Sequence, residues 1–177
     1  MRLDEIDRRI LNALQADATI QLADLAKEAG LSPTPCWRRV KNLEEAGVIR
    51  GRVALLDRAK LNLNVTVFVA IRTNQHNPEW LDRFARAVLE IPEVVDFYRM
   101  SGDIDYLLRV VVPDIAAYDA VYKRLIKRID LYDVSSSFAM EEIKCTTALP
   151  VRYADALPEE EPARPRKAAR RRPRSRP

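Results

Sequence analysis

Apolar residues recur at helical spacing through the first fifty positions and alternate at strand spacing after them. Leu3, Ile6, Ile10, Leu11 and Leu14 form one stripe, with Asp4 placed to cap the opening helix. Leu22, Leu25, Ala26 and Ala29 form the inward side of a second helix, closed by Gly30. Leu31 makes a tight turn, Ser32 offers a hydroxyl N-cap, and Pro33 takes the first helical position, where its missing N–H costs nothing. In the helix that follows, Cys36, Val40, Leu43 and Gly47 share a face. Thr34, Arg38 and Lys41 lie opposite them, flanked by Trp37 and Asn42. Three short helices around one core, the last with a basic, hydroxyl-bearing outer face, predict a helix-turn-helix domain over residues 1–52, plain or winged. The bland alternative is an amphipathic helix with a solvated charged side; the coincidence of turn, caps and basic face favours DNA.

The period then changes. Residues 48–56, VIRGRVALL, are β-branched and alternating, and predict a strand leaving the first domain. Gly51 between two arginines fits either a wing-like approach to phosphate or a solvated strand. Residues 53–64 form the strand-and-hinge linker, with the polar, turn-forming run DRAKLNLN at 57–64. From residue 65 the pattern predicts strand 65–72, helix 79–91 with Leu81, Phe84, Ala85, Val88 and Leu89 inward and Pro92 ending it, strand 94–100, turn 101–105, strand 106–112, helix 115–129 and strand 133–143. The order βαββαβ makes 65–150 a ferredoxin-like domain, with four antiparallel strands and both helices on one face. The class is α+β. Apolar side chains left on the uncovered face of such a sheet usually mean self-association.

Charge changes the picture once it is divided. The chain has 177 residues and a net charge of +4. Residues 158–177 hold eight Lys/Arg against three Glu, whereas 1–157 hold 22 basic and 23 acidic side chains. Within that near-neutral body, 32–52 carries five basic and two acidic residues, a local footprint for double-stranded DNA. The stretch 154–177 is rich in Pro and Arg and poor in large apolar residues, and predicts a disordered basic tail. No apolar run approaches the ~20 residues of a membrane span. The N-terminus lacks the apolar core of a signal peptide, and Cys36 and Cys145 sit on separate patterns. A cytoplasmic, nucleoid-associated protein without disulfides fits these features. A lone histidine with two distant cysteines makes no metal site. No nucleophile–base pair, paired acid and base, or phosphate loop is visible, so the chain is expected not to be an enzyme and to need no cofactor.

Three segments, LSPTPCWRRVKNLEEAGVIRG, SGDIDYLLRVVVPD and SSSFAMEEIK, resemble the Lrp/AsnC, or feast/famine, regulators over about residues 1–150. TPCW, GRVALLD, HNPEW, YRMSGDIDYL and SSFAMEEIK with the following TTALP are similar to a branch of that family concerned with cysteine detoxification. The resemblance implies a homodimer, often an octameric disc of four dimers, with an amino-acid effector held between subunits.

On the reading helix the resemblance implies DNA contacts from Ser32, Thr34, Trp37, Arg38 and Lys41. A guanidinium pairs bidentately with guanine, which suits Arg38 to a base edge or phosphate, and Lys41 suits phosphate as a flexible point charge. Trp37 can pack on sugar or a thymine methyl, or cover the domain's own core. The effector site is implied around Ser101, Gly102, Asp103 and Asp105 and along the serine run Ser135, Ser136 and Ser137. A zwitterionic amino acid needs a carboxylate for its ammonium and N–H or hydroxyl groups for its carboxylate. Spacing alone favours an ordinary hairpin turn there. Arg99 and Ile115 match effector-sensitive positions, and His76 lies in a loop resembling the cysteine-responsive branch. The expected function is a sequence-specific transcription regulator responding to a small amino acid, cysteine first. The alternative is a nucleoid-type architectural protein that binds DNA without an effector.

Overall fold

The computed structural model describes residues 2–75, 77–128 and 131–156. The chain divides into two compact units: residues 1–54 together with the segment from Thr146, and Leu55–Cys145. The expected second domain, 65–150, thus runs a few residues past the end of the second unit. His76 and residues 157–177, most of the expected tail, lie outside the described residues.

The first unit is built from α1 (Glu5–Ala16), α2 (Leu22–Ala29) and α3 (Pro33–Glu45). Asp4 caps α1 in a reciprocal capping box with Asp7. Gly30 ends α2 at φ 73°, a left-handed conformation that only glycine adopts cheaply. Leu31 N–H then donates to the Ala26 carbonyl at 2.8 Å, closing the turn before α3. Ile10, Leu11, Leu25, Ala26, Ala29, Cys36, Val40 and Leu43 form the core, joined by Leu3.

Four local expectations are corrected. Ser32 occupies the N-cap of α3, but its hydroxyl makes no capping bond. Leu22 is 37% exposed, because it opens α2 at the mouth of a cleft. Gly47 lies beyond α3 at φ 71°, so it terminates the helix instead of extending its face. Residues 48–56 form no strand: a run of alternating residues needs a backbone neighbour, and none of the described residues pairs with it. Val53, Leu55 and Leu56 are exposed.

A second connection was not anticipated. After Cys145 the chain returns to the first unit and ends its described part in a 3₁₀ helix, Val151–Ala156. The Gln15 amide donates to the Leu149 carbonyl at 3.2 Å and accepts from its N–H at 2.7 Å. Val151 and Ala154 pack against the helical core.

The second unit holds β1 (Val65–Arg72), α4 (Pro78–Leu89), β2 (Val94–Arg99), β3 (Tyr106–Val112), α5 (Ile115–Arg128) and β4 (Asp133–Phe138). The sheet order is β2-β3-β1-β4, antiparallel throughout, as a ferredoxin-like sandwich requires. Val67, Val69 and Ile71 on β1 and Tyr106, Leu108, Val110 and Val112 on β3 point to one face. There they join Trp80, Phe84 and Val88 of α4 and Tyr118, Val121 and Leu125 of α5 in a single core. The opposite face carries Phe68, Arg109 paired with Asp96, and Tyr98, with Phe68 and Tyr98 exposed.

Two differences follow from phase and partnership. Trp80 and Ala87 are buried in α4, whereas Leu89 is 77% exposed, because the stripe that meets the sheet runs 80, 84, 87, 88. Strand β4 stops at Phe138 rather than 143. The last bond to its neighbour is Ala139 N–H to the Thr66 carbonyl at 2.9 Å, and an edge strand has no second partner to carry it further.

Candidate nucleic-acid interface and ligand site

The reading helix is held on one side and open on the other. Cys36, Val40 and Leu43 are buried, while Ser32, Thr34, Trp37, Arg38 and Lys41 are exposed, so all five expected DNA contacts reach solvent. Among the described residues neither the Arg38 guanidinium nor the Lys41 ammonium has a hydrogen-bonding or ion-pair partner. Both cations therefore remain available to a phosphate or base edge. Trp37 is 51% exposed and lines a cleft of about 400 Å³ with Leu14, Ile20 and Leu25. It covers the flank of the core with part of its ring and leaves the rest free. Arg52, at the expected wing, is tied to Glu44 at 3.1 Å; both arginines of that pair are exposed, and of the two only Arg50 has no ion-pair partner among the described residues.

Arg39, next to Arg38 in sequence, has a different fate. Its Nη1 donates to Asp4 Oδ2 at 2.7 Å and to Asp7 Oδ1 at 2.8 Å. Asp7 N–H and then the Arg39 guanidinium hold the Asp4 carboxyl below its ordinary 3.8. The bonds to Asp7 and Asp4 raise the Arg39 pKa in turn. Asp4's contribution is complete above its ordinary titration and fades only as the pH falls through the lower folded value. In the sequence Arg39 entered only among the five basic residues of 32–52, with no place on the outer face of the helix. The available signal was the Asp-x-x-Asp spacing at the head of α1, which leaves two carboxylates on one turn. Cys36, inside the core, has its thiol pKa pushed up by burial, and Cys145 is exposed.

The hairpin between β2 and β3 is a different kind of place. Asp105 Oδ2 accepts from Thr73 N–H at 2.8 Å, and Asp105 N–H donates to the Ile71 carbonyl at 3.0 Å. Arg72 Nε donates to the Asp103 carbonyl at 2.7 Å and its guanidinium lies 3.8 Å from Asp133. Gly102 has φ 117°, and a Cβ there would meet nothing within 4 Å. The glycine thus serves conformation, and its backbone faces open space. Ser101, Gly102 and Asp103 are exposed together on this loop.

The serine run does not act as a unit. Ser135 pairs across from Ala70 and Ser137 from Phe68, on the open face of the sheet. Ser136 pairs with Val69 on the helix side, where its hydroxyl is hydrogen-bonded to the Tyr118 hydroxyl. Ser136 and Ser137 therefore face opposite surfaces, and only Ser135 and Ser137 share the side left uncovered by helices. Burial, partly offset by that bond, raises the Tyr118 pKa. Arg99 and Ile115 are both exposed, and His76 lies outside the described residues.

The two units match two family models. Residues 3–50 match a winged helix-turn-helix DNA-binding model, and residues 66–149 match the Lrp/AsnC ligand-binding domain. The chain is 52% identical over 150 residues to the DNA-binding transcriptional activator DecR of Escherichia coli K12, covering 84% of this chain and 99% of that protein. It belongs to the Lrp/AsnC family. A crystal structure of an AsnC family transcriptional regulator from Agrobacterium tumefaciens superimposes with TM-score 0.83 at 66% identity, covering 85% of this chain and 99% of the other. The transcriptional regulator NMB0573 of Neisseria meningitidis, solved as an L-Met complex, superimposes with TM-score 0.81 at 35% identity, covering 85% and 98%. These Lrp/AsnC relatives are transcription regulators and not enzymes. Among the described residues no helix is long and apolar enough to cross a membrane.

Proposed function

We propose that this Lrp/AsnC protein is a sequence-specific transcription regulator whose DNA binding responds to a small amino acid. Cysteine is the first candidate, and the active form is a homodimer able to assemble further into octamers. The observation that carries the proposal is the pairing of an outward Arg38 and Lys41, unpartnered among the described residues, with a second unit that matches a ligand-binding domain. On DNA, Arg38 takes a guanine edge or phosphate, Lys41 a phosphate, and Ser32 and Thr34 contact the backbone from the helix N-terminus. Trp37 uses its free edge against sugar or a thymine methyl.

In the ligand unit, the exposed Asp103 carboxylate and the second oxygen of Asp105 are suited to an ammonium group. The Gly102 N–H, Ser101 and Ser137 hydroxyls and the Arg99 guanidinium are suited to a carboxylate. The L-Met complex of the Neisseria relative supports an amino acid as the ligand class. Cysteine rests on the resemblance of the TPCW, HNPEW and YRMSGDIDYL segments to the cysteine-responsive branch. Exposed Phe68 and Tyr98 on the helix-free sheet face support self-association through that surface.

A thermal-stabilisation screen of the twenty amino acids, followed by DNA titration with and without each hit, tests the reading. We expect cysteine to raise the melting temperature and to shift DNA affinity. DNA binding indifferent to all twenty would instead make the protein an effector-independent architectural one.

A further inference from the structure

We infer that Arg39 is the positioning residue of the reading helix: held by the capping box of α1, it sets the roll of α3 and so aims Arg38 without touching DNA itself. This inference rests on the proposed sequence-specific reading and adds a part that no basic-face count assigns. Each oxygen of two carboxylates has a defined partner. Asp4 Oδ1 accepts from Asp7 N–H at 2.9 Å and Asp7 Oδ2 from Asp4 N–H at 3.1 Å, which fixes the head of α1. The two remaining oxygens converge on the single Nη1 of Arg39, at 2.7 and 2.8 Å. Asp7 is buried, so its position is not negotiable, whereas the Asp4 side chain is half exposed.

The geometry of α3 explains why such an anchor is needed. Cys36, Val40 and Leu43 make a narrow apolar strip, and hydrophobic attraction is non-directional, so it sets the roll of the helix less sharply than a directed bond does. At about 100° per residue, Arg39 and Trp37 flank that strip on opposite sides while Arg38 stands opposite it. The Trp37 side abuts a cleft of about 400 Å³, so it does not wedge the helix. The Arg39 side is pinned by two charge-assisted bonds. A roll of about 20° moves the helix surface by roughly 2 Å, given a radius of about 5–6 Å. Hydrogen bonds tolerate only about half an ångström, so a roll of that size separates a base contact from none.

The test uses the full-length protein, a duplex selected by the wild type from a random-sequence pool, and a scrambled duplex of equal length. Arg39→Met should weaken binding to the selected duplex by about tenfold, the scale of one lost base contact, with little change on the scrambled one. Its slope of log K against log salt should match the wild type, whereas a lost phosphate contact flattens it by about 0.9. Arg39→Lys should restore most of the selectivity, since both bonds come from one nitrogen that an ammonium can replace. Asp4→Asn keeps an acceptor for the cap but loses the charge; it should reduce selectivity although it makes the protein more positive. If Arg39→Met does not fold by circular dichroism, the lysine and Asp4→Asn variants decide the matter alone. Wild-type selectivity in all folded variants, or a flattened salt slope, would overturn the inference. A wild type that selects no sequence would overturn it together with the proposed function.

Discussion

The reading helix and the β2–β3 hairpin carry comparable densities of polar side chains, yet they stand in opposite states. On α3, the expected DNA contacts point outward with Arg38 and Lys41 unpartnered among the described residues, and the neighbouring Arg39 is spent on holding the helix. In the hairpin, Asp105 already holds Thr73 and the Asp103 carbonyl already holds Arg72. A preformed surface pays little to bind, because its groups need no rearrangement. A loop whose groups serve its own fold must share or surrender bonds when a ligand arrives. One unit presents its chemistry and the other stores part of it, the arrangement expected where one binds a rigid partner and the other responds to a signal.

The largest test of this contrast falls on the open side. Arg38→Ala should cost about 1–3 kcal/mol of operator affinity, with fold and assembly unchanged, because its guanidinium holds none of the described residues. Mobility-shift titration measures the affinity, and circular dichroism with sedimentation measures the rest. Unaltered affinity would move the base contact elsewhere on the helix. The second test falls on the stored side. Asp105→Ala should weaken amino-acid binding in calorimetry while effector-free DNA affinity is kept. Unlike Arg38→Ala it should also lower the melting temperature, since the Thr73 N–H loses a charged acceptor worth about 1.5–3 kcal/mol. An unchanged melting temperature with weakened ligand binding would mean that the carboxylate serves the ligand alone.

The smallest effect concerns residues outside both sites. Truncation after Leu157 removes eight basic side chains. It should lower nonspecific DNA affinity and flatten the salt slope, leaving sequence preference and oligomer size as they were. Equal slopes with and without the tail would make it a solubilising appendage.

Helix and strand positions were legible wherever local periodicity and punctuation agreed. Strands 65–72 and 106–112 have the ends that alternation predicts, and α3 starts where Ser32 and Pro33 signal it. The outward placement of Arg38 and Lys41 was legible for the same reason: rotation per residue fixes it once Cys36, Val40 and Leu43 are inside. What failed needed a partner distant in sequence. The run at 48–56 had every strand signal except a neighbour, and the end of β4 was set by where β1 begins to pair. Ser136 looked like a third member of a serine patch until the pleat turned it to Tyr118.

Sequence alone determined the order of the three helices and of the βαββαβ elements, and which face of α3 points outward. These depend on near neighbours, whose geometry the backbone dihedrals impose. Only the tertiary structure decided that Arg39 belongs to Asp4 and Asp7, that Asp105 belongs to Thr73, and that Gln15 clasps Leu149 across 134 positions. A charged or amide side chain carries no label for its partner. The choice among many acceptors is made by which ones the packed core leaves within hydrogen-bonding reach.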